Sequence, residues 1–261
     1  MGPVDLGAVA AGAVVGGVLG LVGGGGSILA VPLLVYGVGV DSPHVAIGTS
    51  ALAVSLNALT GLAAHARAGN VKWPCATVFS ITGVIGAAIG STLAKAVDGH
   101  KLLALFGLMM VVVGVAMLRA PGRAERPDVR LTRQTAAELL PPLGSMGFGV
   151  GALSGFFGIG GGFLIVPGLM AATHMPMIAA VGTSLVSVAA FGATTAANYA
   201  LSGLVDWRIA ALFIAGGVAG GLAGVAAGKA LAARKNALRL VFGAIVIAVG
   251  IYVSARGLAQ I

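Results

Sequence analysis

The sequence predicts an all-α integral membrane protein made of two homologous repeats, and composition is the first reason. Of the 261 residues, 58% are hydrophobic and only 8% are charged, and the mean hydropathy is +1.06. A water-soluble domain does not have such a surface. Apolar stretches close to the roughly 20 residues that span a bilayer are the second reason. They occur at 43–64, 73–94, 102–118, 177–201, 209–228 and 240–255, and two longer ones lie at 6–40 and 139–173.

A duplicated pattern is the third reason, and it divides the chain into halves. With an offset of 135 and then 134 residues, glycines, prolines and tryptophans of one half fall on those of the other. We therefore predict a first membrane repeat at 1–118, a basic linker at 119–138 and a second membrane repeat at 139–261. The matched pairs include Gly20/Gly155, Gly25/Gly160, Gly26/Gly161, Pro32/Pro167, Thr49/Thr183, Ser50/Ser184 and Trp73/Trp207.

Each half holds one glycine-broken segment and three ordinary transmembrane helices. If each broken segment is a hairpin that enters and leaves on one face, eleven of the 15 Lys and Arg residues collect on the side of the linker. If each broken segment instead crosses the membrane once, the side with more Lys and Arg residues has only nine of them. The positive-inside rule favours the hairpin with a cytoplasmic linker, and an odd number of crossings makes the repeats inverted. The predicted location is the cell membrane, inner or plasma, with several spans.

The broken segments read LVGGGGSILAVP at 21–32 and FFGIGGGFLIVP at 156–167. Within lipid, a helix break is tolerated only where it is buried in protein or lines a wet cavity. The N–H groups of the restarting helix bind anions, and glycine lets a ligand approach them. We predict an anion site near the midplane, with each segment kinked at Pro32 or Pro167. Its first candidates are Gly24, Gly25, Gly26, Ser27, Gly160, Gly161 and Gly162.

Further polar side chains lie within the spans. The hydroxyls of Thr49, Ser50, Thr183 and Ser184 are candidate substrate donors, although such groups also bond to carbonyls of their own helix. The amides of Asn57 and Asn198 are secondary candidates, with hydrogen bonding between helices as the alternative.

Charge placement limits the class of ligand. His65 and Arg67 end a span and are candidates for a cationic vestibule, with anchoring at the membrane surface as the alternative. Every Asp and Glu lies at a segment end or in the linker, so neither a proton relay nor an acidic cation site is expected. The net charge of +8 is spread between apolar stretches, which argues against nucleic acid. No metal or cofactor is expected. The expected partners are a small anion and the lipid bilayer.

The two glycine runs with their prolines, the paired GTS tripeptides and the GNVKW and GLVDW boundaries resemble the sulfite exporter TauE/SafE family of membrane permeases. The resemblance covers nearly the whole chain except the linker. It implies transport of small sulfur-containing anions such as sulfite, sulfoacetate and other sulfonates. By this resemblance, the family's glycine and proline positions correspond to Gly23–Gly26, Pro32, Gly158, Gly160–Gly162 and Pro167. Because Ser27 has no hydroxyl counterpart at Gly162, the two halves should contribute unequally.

Three functions compete at this stage. The preferred one is a transporter that works by alternating access, with its direction and coupling ion open. A passive anion channel would use the same glycines with flux that does not saturate. An intramembrane serine protease at Ser154 is disfavoured, because its counterpart is Leu19 and no histidine is placed as a base.

Glycines at four-residue spacing predict close helix packing and, with the family, suggest a homodimer. They are Gly12, Gly16, Gly20 and Gly24, then Gly216, Gly220, Gly224 and Gly228.

Overall fold

The computed structural model describes residues 2–22, 24–119, 129, 131–158, 162–230 and 235–259. Every regular element in these ranges is a helix, and seven helices are long and apolar enough to cross a membrane. The chain is therefore an all-α integral membrane protein with several spans. Its helices are α1 (Pro3–Val22), α2 (Gly24–Leu29, Ala30–Pro32 and Leu33–Val38, joined), α3 (Pro43–Arg67), α4 (Trp73–Lys95), α5 (Gly99–Arg119), α6 (Ala136–Phe157), α7 (Gly162–Thr173), α8 (Met177–Ala200), α9 (Trp207–Ala230) and α10 (Lys235–Leu258).

The helix that was expected to restart after the first glycine run, α2, consists of three parts with different helical conformations. Gly24–Leu29 is a 3₁₀ helix, so Gly24, Gly25 and Gly26 lie inside a helical turn. One α-helical turn follows, and the chain then widens into a π-helix at Leu33–Val38. Pro32 ends the α-helical turn because it has no N–H to donate to the preceding turn. The equivalent α7 is a regular 12-residue α-helix with Pro167 inside it.

The glycine-broken segments are hairpins. Gly7, near the start of α1, lies beside the end of α2, where a Cβ would stand 3.8 Å from the carbonyl oxygen of Gly37. Near the turn, Gly26 packs against the backbone of Leu19. Helices α6 and α7 also fold back on each other, with Gly168 facing Val150. Each segment thus turns back toward the face from which it started.

Corresponding helices of the two halves run in opposite directions. Ser55 Oγ donates to the carbonyl of Ala189 at 2.8 Å, while Gly61 faces Leu185, so α3 and α8 are antiparallel. Helices α5 and α10 are antiparallel as well. Contacts between the halves are reciprocal, since α1 packs on α9 and α6 packs on α4. The inverted repeat and its boundaries stay a prediction, which these directions favour.

Two glycine seams join the halves. A Cβ at Gly16 would overlap the carbonyl oxygen of Gly217, and one at Gly220 would overlap that of Ala13, so the backbones of α1 and α9 touch. The same relation holds between α4 and α6, where a Cβ at Gly86 would overlap the carbonyl oxygen of Phe148. The packing role predicted for the regularly spaced glycines is confirmed at two of them, Gly16 and Gly220.

The helix directions define two faces. The linker face carries the α3–α4, α5–α6, α7–α8 and α9–α10 connections. The terminal face carries the start of α1 and the α2–α3, α4–α5 and α8–α9 connections. Eleven of the 15 Lys and Arg residues belong by sequence to the linker face, so the positive-inside rule predicts that this face is the cytoplasmic one. Half of the predicted linker, 120–128 and 130, lies outside the described residues, and 136–138 are already the first turn of α6.

Candidate functional site

The two glycine-broken segments meet in the centre of the protein. The 3₁₀ part of α2 packs against both α7 and α8, and so connects one half with the other. Gly26 and Ser27 are buried, and so is Gly162, the first residue of α7. The second run begins directly before α7, but Gly160 and Gly161 lie outside the described residues. The predicted convergence of the two segments is therefore present in the part that the structure describes.

Gly158 shows why the second break needs glycine. It caps the end of α6 with φ +67°, a left-handed conformation that other residues adopt only at a cost. A Cβ there would also overlap Cγ2 of Ile47 on α3. Ser50, one turn further along α3, donates to the carbonyl of Ile47 at 2.9 Å and lies 3.3 Å from the carbonyl oxygen of Gly158. The first half thus holds the break of the second half in place.

Thr49 and Thr183 join the halves in the same way at opposite faces. Thr183 Oγ1 accepts a hydrogen bond from the N–H of Lys72 at 3.0 Å, and Thr49 Oγ1 accepts one from the N–H of Asp206 at 3.0 Å. The neighbouring Gly48 allows this contact, because a Cβ would overlap the carbonyl oxygen of Leu204. We call this pair the threonine clasps. Each one satisfies a backbone N–H directly before a transmembrane helix, α4 or α9.

Replacing either clasp threonine with valine should destabilise the folded protein. Thr183→Val leaves the partly buried N–H of Lys72 without its partner, and Thr49→Val does the same to the N–H of Asp206. We expect each to lower the free energy of unfolding by about 0.5–1.5 kcal/mol, the net contribution of one hydrogen bond. Thr194→Val is the matched control, because the Thr194 hydroxyl bonds only to Ala190 of its own helix. Unfolding of the purified variants in detergent measures the difference, and equal stability of all three would show that the clasps contribute nothing.

Asn198 and Ser184 are occupied by the protein itself. Asn198 Nδ2 donates to Ser91 Oγ at 2.6 Å and Thr92 Oγ1 at 2.9 Å, and its Oδ1 accepts from Lys95 Nζ at 2.7 Å. These hydrogen bonds link α8 to α4. For Asn198, hydrogen bonding between helices was the alternative to substrate binding. Ser184 Oγ donates to the Val181 carbonyl of its own helix at 2.8 Å. Neither side chain presents an unused group in the described structure.

Asn57 is in a different situation. Its side chain is only 2% exposed, and neither amide atom has a hydrogen-bond partner among the described residues. It lines a cavity of about 80 Å³ between α1, α3, α8 and α9. Gly20, three residues before the first glycine run, lines the same cavity, and so does His65. His65, a candidate vestibule residue, thus shares a cavity with Asn57. Arg67 lies exposed at the end of α3.

Sequence reasoning missed several of these residues. Thr60 lines the Asn57 cavity, and Ile47 fills the space beside Gly158. Ser80 and Ser187 share a buried hydrogen bond of 2.8 Å between α4 and α8. Thr60 follows Asn57 by three residues on one helix face, a spacing that could have identified it. Nothing local to Ile47 indicates its role, because its partner is 111 residues away.

Comparison with known proteins gives one family and several relatives. The family model described as "Sulfite exporter TauE/SafE" matches residues 8–253. A protein of Xylella fastidiosa (strain Temecula1 / ATCC 700964), named "Probable membrane transporter protein", is 52% identical over 97% of this chain and 96% of its own length. "Probable membrane transporter protein YunE" of Bacillus subtilis (strain 168) is 31% identical over 82% of this chain and 84% of its own. No solved structure is a significant match.

Proposed function

Because the chain belongs to the sulfite exporter TauE/SafE family, we propose that it carries small sulfur-containing anions, such as sulfite, sulfoacetate or related sulfonates, across the cell membrane by alternating access. That it is a membrane transporter and not an enzyme follows from the family and from the names of its relatives. The substrate class, the site and the mechanism are the proposal.

The meeting of the two glycine-broken segments is the observation that carries it. Helix α2 of one half packs on α7 of the other, and Ser50 reaches the carbonyl of Gly158 across the same boundary. The first N–H groups of α7 have no partners within their own helix, and the helix dipole adds positive potential at that end. A sulfonate or sulfite group is a compact anion with several acceptor oxygens, which suits such donors.

The surrounding side chains favour an anion over a cation. The described acidic residues lie at or near helix ends, as Asp5 of α1 and Asp206 before α9 do. Ser27 and Ser50 supply buried hydroxyls beside the two breaks, and no carboxylate of the described spans stands there to repel an anion. We therefore assign binding to the backbone of the glycine runs with Ser27. Ser50, whose hydroxyl already donates to carbonyls of Ile47 and Gly158, positions the second break. Thr49, Thr183, Ser184 and Asn198 hold the helices that carry them.

Opposed helix directions support alternating access. The threonine clasps lie at opposite faces, and each fastens the α3 or α8 helix of one half to a connection of the other. Opening toward either side would loosen the clasp at that side while the other remains closed. A site between the two hairpins would then be reached from one side at a time.

A ligand panel and two transport variants test the proposal. In a thermal-shift measurement, sulfite, sulfoacetate and short alkylsulfonates should stabilise the purified protein, since a ligand of the folded state raises stability. In proteoliposomes, uptake of radiolabelled sulfoacetate should saturate. Gly25→Val and Gly160→Val should each reduce that uptake by about tenfold or more, because a side chain would block access to the N–H groups.

Gly149→Val is the matched control for these variants. A Cβ at Gly149 meets no atom within 4 Å, so this glycine is in open space on α6. It should transport like the unaltered protein. Normal uptake by folded Gly25→Val and Gly160→Val would contradict the proposed site. Flux that does not saturate, with unitary currents in a planar bilayer, would instead identify a channel.

A further inference from the structure

The two halves differ at two pairs of equivalent positions on α3 and α8. The 134-residue offset that aligns Thr49 with Thr183 also aligns Asn57 with Phe191 and His65 with Tyr199. Helices α3 and α8 therefore present an amide and an imidazole on the linker side of the midplane, and two aromatic rings on the terminal side. Asn57 and Phe191 thus give the same place in each repeat a polar amide in one half and an apolar ring in the other. Tyr199 keeps a hydroxyl, which is buried without a hydrogen-bond partner among the described residues.

On the terminal side, the aromatic rings fill the available space. Phe191 is fully buried and stacks on Phe79 with ring centroids 6.2 Å apart. A Cβ at Gly83 would overlap the Phe191 ring, which shows how tightly the ring fits against α4. Tyr199 is fully buried as well.

On the linker side, the equivalent space is a cavity. The Asn57 side chain packs against Gly217, which is the counterpart of Gly83 in the other half. Asn57 lines the cavity of about 80 Å³ together with Thr60, His65 and Gly20. A water molecule takes about 30 Å³ in the liquid, so the cavity has room for a few waters or for one compact molecule. Leaving both atoms of a buried amide unpaired is costly, and such groups are normally satisfied by a ligand or by ordered water.

The unpaired amide indicates what the occupant must offer. Asn57 Nδ2 needs an acceptor and Oδ1 needs a donor. The Thr60 hydroxyl donates to the backbone carbonyl of Asn57 at 2.7 Å, so its oxygen can only accept from an occupant. A bare sulfonate has acceptors alone and would leave Oδ1 and Thr60 without donors. An anion that carries an O–H or N–H group beside its charged group satisfies both sides.

We propose that the Asn57 cavity is a specificity site on the cytoplasmic side, which selects sulfur oxyanions that carry their own hydrogen-bond donor. This inference rests on the proposed function and adds to it a residue, a side of the membrane and a feature of the substrate. The anionic group lies toward the first glycine run, which follows Gly20, while the donor group of the substrate bonds to Asn57 Oδ1. Phe191 offers no such contact from the terminal side.

Two ligands of equal size test this proposal. Hydroxymethanesulfonate and ethanesulfonate have the same number of non-hydrogen atoms, but only the first has an O–H group. Binding to the purified, full-length protein is measured by calorimetry. We expect hydroxymethanesulfonate to bind about three- to tenfold more tightly, the ratio that one hydrogen bond provides. In Asn57→Leu the ratio should fall to about one, while ethanesulfonate still binds.

Controls separate this result from a general loss of structure. Phe191→Leu alters the equivalent position of the other half and should keep the ratio. Asn57→Ala, which is smaller, should lose the ratio as Asn57→Leu does and serves if the leucine variant does not fold. An unchanged ratio in a folded Asn57 variant, or equal binding of both ligands to the unaltered protein, would overturn the inference while the proposed function stands. Binding of neither ligand would contradict the sulfonate transport proposal itself.

Discussion

Gly158→Ala is expected to abolish most transport while the protein still inserts into the membrane. Alanine at φ +67° costs about 1–2 kcal/mol. Its Cβ would overlap Cγ2 of Ile47, and such overpacking costs about 1–3 kcal/mol more. The cap of α6 must then shift, and with it the start of α7. Since the N–H groups there are the proposed anion donors, uptake of sulfoacetate should fall by about tenfold or more.

A second substitution separates the two causes of this loss. Ile47→Ala removes Cγ2, the nearest atom of the overlap, and leaves Ile47 Cβ at 2.9 Å from the added Cβ, while the backbone conformation stays as it was. The double variant Gly158→Ala with Ile47→Ala should therefore recover part of the uptake, and Ile47→Ala alone should transport nearly normally. Full activity of Gly158→Ala would contradict the assigned role of the second break. Absence of any recovery would assign the whole effect to backbone strain.

Gly16→Ala should destabilise the protein strongly, whereas Gly17→Ala should not. A Cβ at Gly16 would overlap the carbonyl oxygen of Gly217, a backbone atom that cannot rotate away, so α1 and α9 must separate. A Cβ at Gly17 would stand 3.6 Å from the carbonyl oxygen of Gly220, an ordinary contact. Alanine favours helix over glycine by about 1 kcal/mol, so Gly17→Ala should be neutral or slightly stabilising.

The magnitude follows from the cost of overpacking, about 1–3 kcal/mol or more for one extra carbon in a tight interface. For a chain of this size we expect the melting temperature of Gly16→Ala to fall by roughly 5–10 °C. Intrinsic tryptophan fluorescence during heating measures it, because Trp207 begins α9 and Trp73 begins α4, the helices of the two seams. Equal melting temperatures for the two adjacent variants would show that the seam does not hold the helices together.

Much of the architecture could be predicted because it follows from local patterns in the sequence. The spans follow from apolar length, and the glycine spacing on α1 and α9 indicates a surface without side chains, which only another backbone can cover closely. The hairpin followed from the distribution of basic residues. Helix α7 stops after 12 residues, as a half-length segment should. By contrast, the glycine pattern does not specify the 3₁₀ and π character of α2.

The candidate site was predicted less completely, because its hydrogen bonds cross between halves. Thr49 and Thr183 were identified as important from their duplication, but their partners are N–H groups more than 100 residues away. The residue type reveals a hydroxyl and not whether it bonds to a substrate or to the protein. The 134-residue offset between the repeats is enough to show that Asn57 corresponds to Phe191. Only the structure shows that Asn57 lines a cavity, which makes this difference relevant to ligand binding.

The threonine clasps have a consequence for the energetics of the whole cycle. If two identical halves faced each other in opposite senses, the inward-open and outward-open forms of the proposed cycle would be related by a two-fold rotation and equal in free energy. In that cycle the resting bias would come from positions where the halves disagree, such as Lys72 against Asp206 in the clasps themselves. A change of about 1.4 kcal/mol at such a position shifts the resting ratio tenfold without touching any ligand.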